Sequence, residues 1–385
     1  MVKVMLLSLA PETWKTRLKA EFFPLNRRRD IDGLRGLAVL LVMIFHAGWL
    51  KGGFIGVDIF IVISGYFMGR SAFMQHPFRP ERFVWRRLYR LVPALLVMIV
   101  VVCASMLWWV LQSDRADIAQ NGAYALIYLS NIWASHHVGY FEGQSIAYPF
   151  LHTWSLSLEM QFYVVIFLVA VLLPRLGNRR VVLYTLLGAS FLYSVFASYR
   201  GDHAAYYSIF ARLWEFSLGT LIWVLPALPQ SLLLSGLCYA VAVAVLVLCG
   251  VFYDLTNACP SLMAVLPCVA TMLIIMQPQA ITRRVLEPLA PVGVISYSLY
   301  LWHWPAIVLA SYLLFFQVHG LTMALVLCGA VVAGTLSYLF VERPMLSYEN
   351  RAMPSAVRLG AGVMVGLCGV AALALAWLSF LSRVH

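Results

Sequence analysis

An arginine and a histidine share the first long apolar stretch of this chain. Arg35 and His46 lie eleven residues apart. In a helix, that spacing returns to within about 20° of the same face, about 16 Å further along the axis. Histidine is the side chain best suited to take a proton from a hydroxyl near neutral pH. The spacing therefore predicts a general base at His46 with a cation at Arg35, although a histidine that only bridges two helices also fits the position.

Two further arginines stand where a basic segment turns apolar. Arg87 and Arg90 are three residues apart and so share one face of a predicted helix. Guanidinium groups bind phosphate oxygens in bidentate geometry, so this pair is a candidate clamp for a donor that carries phosphates. The alternative is that both arginines only anchor the chain at the cytoplasmic surface.

Other polar or small residues interrupt apolar stretches. Ionisable groups among them are costly in a membrane and are usually functional. The interrupting residues are Asp58, Ser64, Gly65, Glu159, Glu215 and His303. Close helix packing is an alternative explanation for Ser64 and Gly65, because small residues let helices approach. Glu159 is predicted near the external start of a helix.

The elements that must position these residues are transmembrane helices. The chain has 385 residues, 62% hydrophobic and only 11% charged, with a mean hydropathy of +0.85. Apolar runs long enough to cross a hydrocarbon core of about 30 Å recur along it. The predicted spans are 34–50, 53–69, 91–112, 156–174, 181–198, 208–225, 232–252, 261–276, 292–316, 321–341 and 357–381. This pattern indicates an all-α polytopic membrane protein with about eleven transmembrane helices.

Arginine clusters predict the orientation of those helices. Clusters at 27–29, 70–90, 175–180, 283–284 and 343–351 all fall inside if the N-terminus is cytoplasmic and the C-terminus extracytoplasmic. Residues 117–134 are then predicted as a re-entrant or interfacial helix, because one more span would move every later cluster outside. On this topology 70–90 is cytoplasmic and 113–155 is external. Arg35 lies at the cytoplasmic mouth, and His46 lies near the bilayer centre.

Composition also excludes other classes of protein. The net charge of +11 follows the membrane topology and does not form a basic face interleaved with aromatic residues, so no nucleic acid is expected as a partner. The seven cysteines lack the spacing of metal ligands, and neither a metal nor a permanently bound cofactor is expected.

Together these residues resemble the motifs of the acyltransferase-3 family of membrane acyltransferases. The run from Asp30 through Arg35 to His46 is similar to the family's opening signature. Gly56 to Tyr66, with Ser64-Gly65 near its end, resembles the second motif, although Ile61 replaces a phenylalanine. Arg87 and Arg90 match the paired-arginine motif. Further matches are His152 to Tyr163 with Glu159, Arg212 to Glu215, Ser296 to Pro305 with Tyr300 and His303, and Val341 to Pro344. In the first of these segments, Met160 occupies a position that is often a second glutamate in the family.

The resemblance implies a domain organisation and a reaction. Residues 1–29 would form a cytoplasmic segment, 30–345 the ten-helix membrane domain, and 346–385 a loop and an eleventh helix. Family members move an acyl group, commonly acetyl from acetyl-coenzyme A, to hydroxyl groups of sugars or other acceptors. The eleventh helix resembles the one that leads to an extracytoplasmic SGNH-type domain in fused members. Three alternatives are open for that domain here: it is absent, it is a separate partner, or it has been removed.

We therefore expect an O-acyltransferase of the bacterial inner membrane. Its partners would be acyl-coenzyme A, membrane lipids and a glycan or lipid-linked glycan acceptor such as O-antigen, exopolysaccharide or peptidoglycan. Arg87, Arg90 and Arg35 would bind the donor, and His46 would be the catalytic base. Glu159 would orient or bind the acceptor on the outer side. The rival hypothesis is a transporter of a glycan or of an acylated small molecule, because buried charges in many helices suit that class equally well.

Overall fold

The computed structural model describes residues 28–74, 78–109, 112–137, 148–176, 178–225, 231–254, 262–277, 284–315, 317–349 and 371. Within these ranges the chain is helical and contains no strand. The helices are α1 (Arg29–His46), α2 (Ile55–Phe73), α3 (Pro80–Trp109), α4 (Gln112–Leu126), α5 (Ser130–His137), α6 (Trp154–Leu176), α7 (Arg179–Tyr199), α8 (Ile209–Leu221), α9 (Leu232–Phe252), α10 (Leu262–Met276), α11 (Ala290–Val294), α12 (Ser296–Leu313), α13 (Gly320–Ser337) and α14 (Arg343–Glu349). Short 3₁₀ turns cover Leu151–Thr153, His203–Tyr207 and Glu287–Leu289, and a π-helical turn, Tyr338–Glu342, joins α13 to α14.

Several of these helices are long and apolar enough to cross a bilayer. Within the described ranges six helical segments qualify by length and composition, and a bent pair formed by Glu287–Val294 and Ser296–Leu313 makes a seventh. This confirms the prediction of an all-α polytopic membrane protein. The count of eleven spans stays a prediction, and the predicted span 357–381 lies outside the described residues except for Ala371.

Exposed apolar side chains give these helices their membrane-facing surface. Leu192, Phe210 and Leu233 are 70%, 69% and 84% exposed. In water, such side chains at many positions would form apolar patches of a size that soluble monomers rarely show. In a bilayer the same side chains contact lipid tails, which are as apolar as they are, so their exposure is not costly. The buried faces of the helices instead hold the polar residues that form the candidate site.

The ends of α1 differ from the predicted span 34–50. The helix begins at Arg29, because Asp30 and Asp32 occupy its first turn, where carboxylates favour the positive end of the helix dipole. It ends at His46, and Gly48 follows with a positive φ of 76° that turns the chain. His46 is therefore the last residue of its helix and not an interior residue of a longer one.

Two other regions of predicted helix are interrupted in the structure. Residues 117–134 form no single helix: α4 and α5 are separate, and Tyr128 between them has a φ of 56°. Neither α4 nor α5 is among the helices apolar enough to span the membrane. The predicted span 292–316 is broken at Ile295, where the axis turns by 66° between the two halves of the bent pair.

Close helix crossings rely on glycine. A Cβ added to Gly293 in α11 would collide with the carbonyl oxygen of Asp32, and one added to Gly36 would collide with that of Leu289. The start of α1 therefore lies directly against the residues around α11. Likewise, Gly65 of α2 and Gly219 of α8 leave room only for the backbone of the opposite helix. These contacts fix α1 and α2 at the centre of the described structure.

Candidate active site

A cavity opens between α1, α2, α3, α6 and α12. It contains about 770 Å³ of empty space, its mouth included. Its polar lining comes from Arg35, Ser64, Arg90, Ser155, Glu159, Tyr163, Ser296, Tyr297 and Tyr300, and its apolar lining includes Phe60, Phe67, Met68 and Phe216. Three of the lining residues are charged. Two are arginines and one is a glutamate, so the lining carries an excess of positive charge that favours an anion.

Glu159 is held in place inside this cavity. Its Oε1 accepts a hydrogen bond of 2.7 Å from Ser64 Oγ of α2 and a short one from the Tyr163 hydroxyl one turn along α6. Hydrogen bonds to a carboxylate are stronger than those between neutral groups. The sequence places Glu159 on the acceptor side, but here it shares one cavity with Arg35 and Arg90, the two arginines predicted for the donor.

The paired arginines on α3 have different surroundings. Arg90 lines the cavity, whereas Arg87 is not among the lining residues. The Arg87 guanidinium donates to the Phe83 carbonyl oxygen at 2.6 Å and to Ser71 Oγ at 3.3 Å, and it stacks 3.6 Å from the centre of the Phe83 ring. Arg87 is buried and joins α3 to α2. The described contacts thus separate the pair into a cavity residue and a packing residue.

His46 lies beside the second histidine that the sequence singles out. His46 Nδ1 is 2.9 Å from Nε2 of His303 in α12, and the two rings are stacked with centroids 5.1 Å apart. The ring of Trp304 covers His46 with a centroid distance of 4.6 Å. His303 is fully buried, whereas His46 is partly exposed. His46 does not line the cavity that contains Arg35.

Tyr300 connects the cavity to the two histidines. Its side chain lines the cavity, and its hydroxyl is within hydrogen-bond distance of Ser155 Oγ, at 2.7 Å, and of the His152 carbonyl oxygen, at 2.8 Å. Its own carbonyl oxygen lies 2.7 Å from Nδ1 of His303. One turn of α12 therefore carries both a wall of the cavity and the partner of His46.

The two remaining acids form a separate cluster. Arg212 Nη1 donates to Asp58 Oδ1 at 2.8 Å and to Glu215 Oε1 at 3.1 Å, and Arg212 Nε donates to the Tyr206 carbonyl oxygen at 3.0 Å. All three ionisable side chains are buried, and none of them lines the cavity. This cluster joins α2 to α8 next to the crossing at Gly65, where the Thr220 hydroxyl also bonds the Gly65 carbonyl oxygen at 2.9 Å.

The structure thus distributes the predicted residues over three places. Arg35, Ser64, Arg90, Glu159 and Tyr300 meet at the cavity, His46 and His303 meet at the end of α1, and Asp58 and Glu215 meet on Arg212. Sequence reasoning missed Tyr163, Tyr297 and Ser155 as cavity residues. The position of Tyr163, four residues after Glu159, could have indicated that the two side chains share a helix face.

Comparison with known proteins gives the same family as the motifs. The model of a family described as "Acyltransferase domain" matches residues 28–342. The chain is 63% identical over 377 residues to the "Putative membrane-bound transacylase BcsY" of Komagataeibacter xylinus, with 98% of each chain covered. It is 30% identical to the peptidoglycan O-acetyltransferase OatA of Listeria monocytogenes, with 86% of this chain and 57% of that protein covered.

A third relative has a similar relationship to the chain. The O-acetyltransferase OatA of Staphylococcus aureus is 33% identical over 356 residues, which cover 82% of this chain and 56% of that protein. The chain therefore spans somewhat more than half the length of both OatA proteins. No solved structure matches the chain. The matched range contains the cavity, the histidine pair and the buried Arg212 cluster, and the chain belongs to the acyltransferase-3 family of membrane acyltransferases.

Proposed function

We propose that this acyltransferase moves an acetyl group from cytoplasmic acetyl-coenzyme A to a hydroxyl group of a cell-surface glycan. O-antigen, exopolysaccharide and peptidoglycan are the candidate acceptors. Two relatives named as O-acetyltransferases, one of them acting on peptidoglycan, support the acetyl group and the glycan. The observation that carries the proposal is the arginine-lined cavity beside a helix that ends in a hydrogen-bonded histidine.

The donor would bind in the cavity through its phosphates. Arg35 and Arg90 supply two cations to its lining, and guanidinium groups bind phosphate oxygens in bidentate geometry. Arg87 would act indirectly by holding α3 against α2, because its donors already bond Phe83 and Ser71. Glu159 would orient the site through the hydrogen bonds that it accepts from Ser64 and Tyr163.

His46 would be the general base. In the transfer, a hydroxyl oxygen of the acceptor attacks the thioester carbonyl carbon, its proton passes to His46, and the carbon–sulfur bond breaks. The thiolate of coenzyme A then takes up a proton, which balances the reaction. A route through a covalent acyl carrier would need the same base at the step in which the acceptor hydroxyl reacts.

The proposed location is the bacterial inner membrane, with the N-terminus in the cytoplasm and the C-terminus outside. Membrane lipids would surround the exposed apolar faces, and a lipid-linked or polymeric glycan would approach from the outer side. A separate SGNH-type domain outside the membrane is the proposed further partner. The longer OatA relatives are compatible with this arrangement, since this chain covers little more than half of each.

The proposal is tested by its product and by its base. Mass spectrometry of surface glycans should find acetyl esters in a strain that carries the protein and lose them in a deletion strain. His46→Gln and His46→Ala should lower the transfer rate by about 10²- to 10⁴-fold at matched protein levels. His203→Gln, which removes an exposed imidazole, is the control and should keep full activity. Full transfer by His46→Gln would contradict the assignment of the base.

The donor site has its own test in inverted membrane vesicles. Arg90→Ala should raise KM for acetyl-coenzyme A, and Arg90→Lys should restore it only in part, because lysine lacks the bidentate fork. Arg82→Ala is the control, since Arg82 lies exposed on the same helix. An unchanged KM in Arg90→Ala would exclude Arg90 from the donor site. Movement of a glycan across the membrane without thioester consumption would instead favour the transporter.

A further inference from the structure

Two hydrogen bonds meet at the ring of His303. Its Nδ1 is 2.7 Å from the carbonyl oxygen of Tyr300, and its Nε2 is 2.9 Å from Nδ1 of His46. His303 is fully buried in α12, so each ring nitrogen faces protein and not water. Both nitrogens of this ring therefore have a defined partner among the described residues.

These partners determine where the protons lie. A carbonyl oxygen only accepts hydrogen bonds. Nδ1 of His303 must therefore carry a proton and donate a hydrogen bond to the Tyr300 carbonyl oxygen. A neutral imidazole has one N–H, and a charged imidazole without a counter-ion is costly when buried. Nε2 of His303 therefore has a lone pair and accepts from His46. It follows that Nδ1 of His46 carries the proton of that ring.

The remaining nitrogen of His46 is the important one. With Nδ1 protonated, the neutral His46 ring has its lone pair on Nε2. Within the described part of the chain, Nε2 of His46 has no hydrogen-bond partner, and the residue is partly exposed at the end of α1. On this tautomer, Nε2 is the nitrogen of His46 that can take a proton.

We propose that His303 is a positioning residue that holds His46 in the tautomer with its lone pair on Nε2 and so directs this nitrogen to the acceptor hydroxyl. The inference rests on the proposed role of His46 as base. When Nε2 of His46 takes the proton of the hydroxyl, the ring becomes an imidazolium whose Nδ1–H still donates to His303. The lone pair of His303 Nε2 then stabilises the positive charge, while the proton of His303 stays on its Nδ1 and remains hydrogen-bonded to the Tyr300 carbonyl oxygen.

Two replacements of His303 separate this role from packing. In His303→Gln, the side-chain oxygen can accept from His46 Nδ1 while the amide NH₂ donates to the Tyr300 carbonyl, so both bonds are reproduced. In His303→Leu, an apolar side chain of similar size fills the buried site but offers no acceptor. If His303 only fills space, Leu should support activity at least as well as Gln, because an apolar side chain of similar size fills the site without the desolvation cost of a buried amide. The positioning role ranks Gln above Leu.

The assay is release of the coenzyme A thiol from acetyl-coenzyme A in inverted vesicles of a deletion strain that expresses each variant at matched levels. For His303→Leu we expect kcat to fall at least about tenfold, and less than the roughly 10⁴-fold known for a base locked in the wrong tautomer. KM for acetyl-coenzyme A should not change. His303→Gln should keep kcat at least about tenfold above His303→Leu. If His303→Leu does not fold, His303→Met replaces it in the comparison.

Any smaller difference between the two variants, or a loss that lies in KM, overturns the positioning role. The proposed function itself is tested in the same assay with the unmodified protein and with His46→Gln, and its failure would be visible there. It would appear as no thiol release by the unmodified protein or as full release by His46→Gln. Either result is independent of the ranking of the His303 variants.

Discussion

Replacing Arg212 should lower the free energy of unfolding more than replacing either of the two acids that it binds. The side chains of Arg212, Asp58 and Glu215 are 2%, 6% and 0% exposed, so water cannot compensate for a lost partner. The described cluster contains two carboxylates and one guanidinium. Arg212→Met therefore leaves two buried acids without their cation, whereas Asp58→Asn leaves one arginine paired with one glutamate.

The two changes differ greatly in expected cost. Removing one partner of a buried ion pair costs about 3–5 kcal/mol. With about 1.4 kcal/mol for each factor of ten, this lowers the folding equilibrium of Arg212→Met by about 10²- to 10⁴-fold. In Asp58→Asn the amide oxygen still accepts from Nη1 of Arg212. Exchanging a charged acceptor for a neutral one weakens that hydrogen bond by about 1 kcal/mol.

The free energy of unfolding can be compared by SDS titration in mixed micelles, followed by far-UV circular dichroism. Arg200→Met is the matched control, because Arg200 is exposed at the end of α7 and its loss should change stability by less than about 0.5 kcal/mol. Equal destabilisation by Arg212→Met and Asp58→Asn would refute the reasoning from charge balance. So would an Arg212→Met protein as stable as the control.

Two further predictions concern packing and topology. Gly293→Ala should prevent accumulation of folded protein, because its Cβ would collide with the Asp32 carbonyl oxygen. The control is Gly188→Ala on α7, where nothing lies within 4 Å, and it should fold normally. The amount of detergent-solubilised monomer is measured by gel filtration, and a well-folded Gly293→Ala protein would contradict the close crossing. Arg115→Cys should react with a membrane-impermeant thiol reagent in intact cells, and Arg82→Cys should react only after permeabilisation, whereas the opposite pattern would invert the proposed orientation.

Sequence reasoning succeeded where the relevant spacing is local. Composition predicted the all-α membrane fold, and helical periodicity placed Arg35 and His46 on one helix. The family resemblance is confirmed by the match over residues 28–342. Each of these inferences depends on residues a few turns apart or on averages over a span, which the sequence displays directly.

The partners across helices could not be predicted in this way. His46 and His303 are separated by 257 residues, Arg212 and Asp58 by 154, and Ser64 and Glu159 by 95. These pairs depend on how helices pack, and no periodicity within one helix encodes the angle at which another crosses it. The different surroundings of Arg87 and Arg90 have the same origin, since a spacing of three residues predicts only a shared face.

The rigid course of α1 sets a length requirement for the donor. Arg35 lies in the cavity and His46 ends the same helix, about 16 Å further along the axis. This rise between the two backbone positions is fixed by the helix, whose start lies in backbone contact with the residues around α11. On the proposed assignments, a donor held by its phosphates at Arg35 must present its acyl group at the end of a long flexible arm. If those assignments hold, the length of the helix would favour a coenzyme A thioester, with its long pantetheine arm, over acetyl phosphate, whose acyl group is bonded directly to the phosphate.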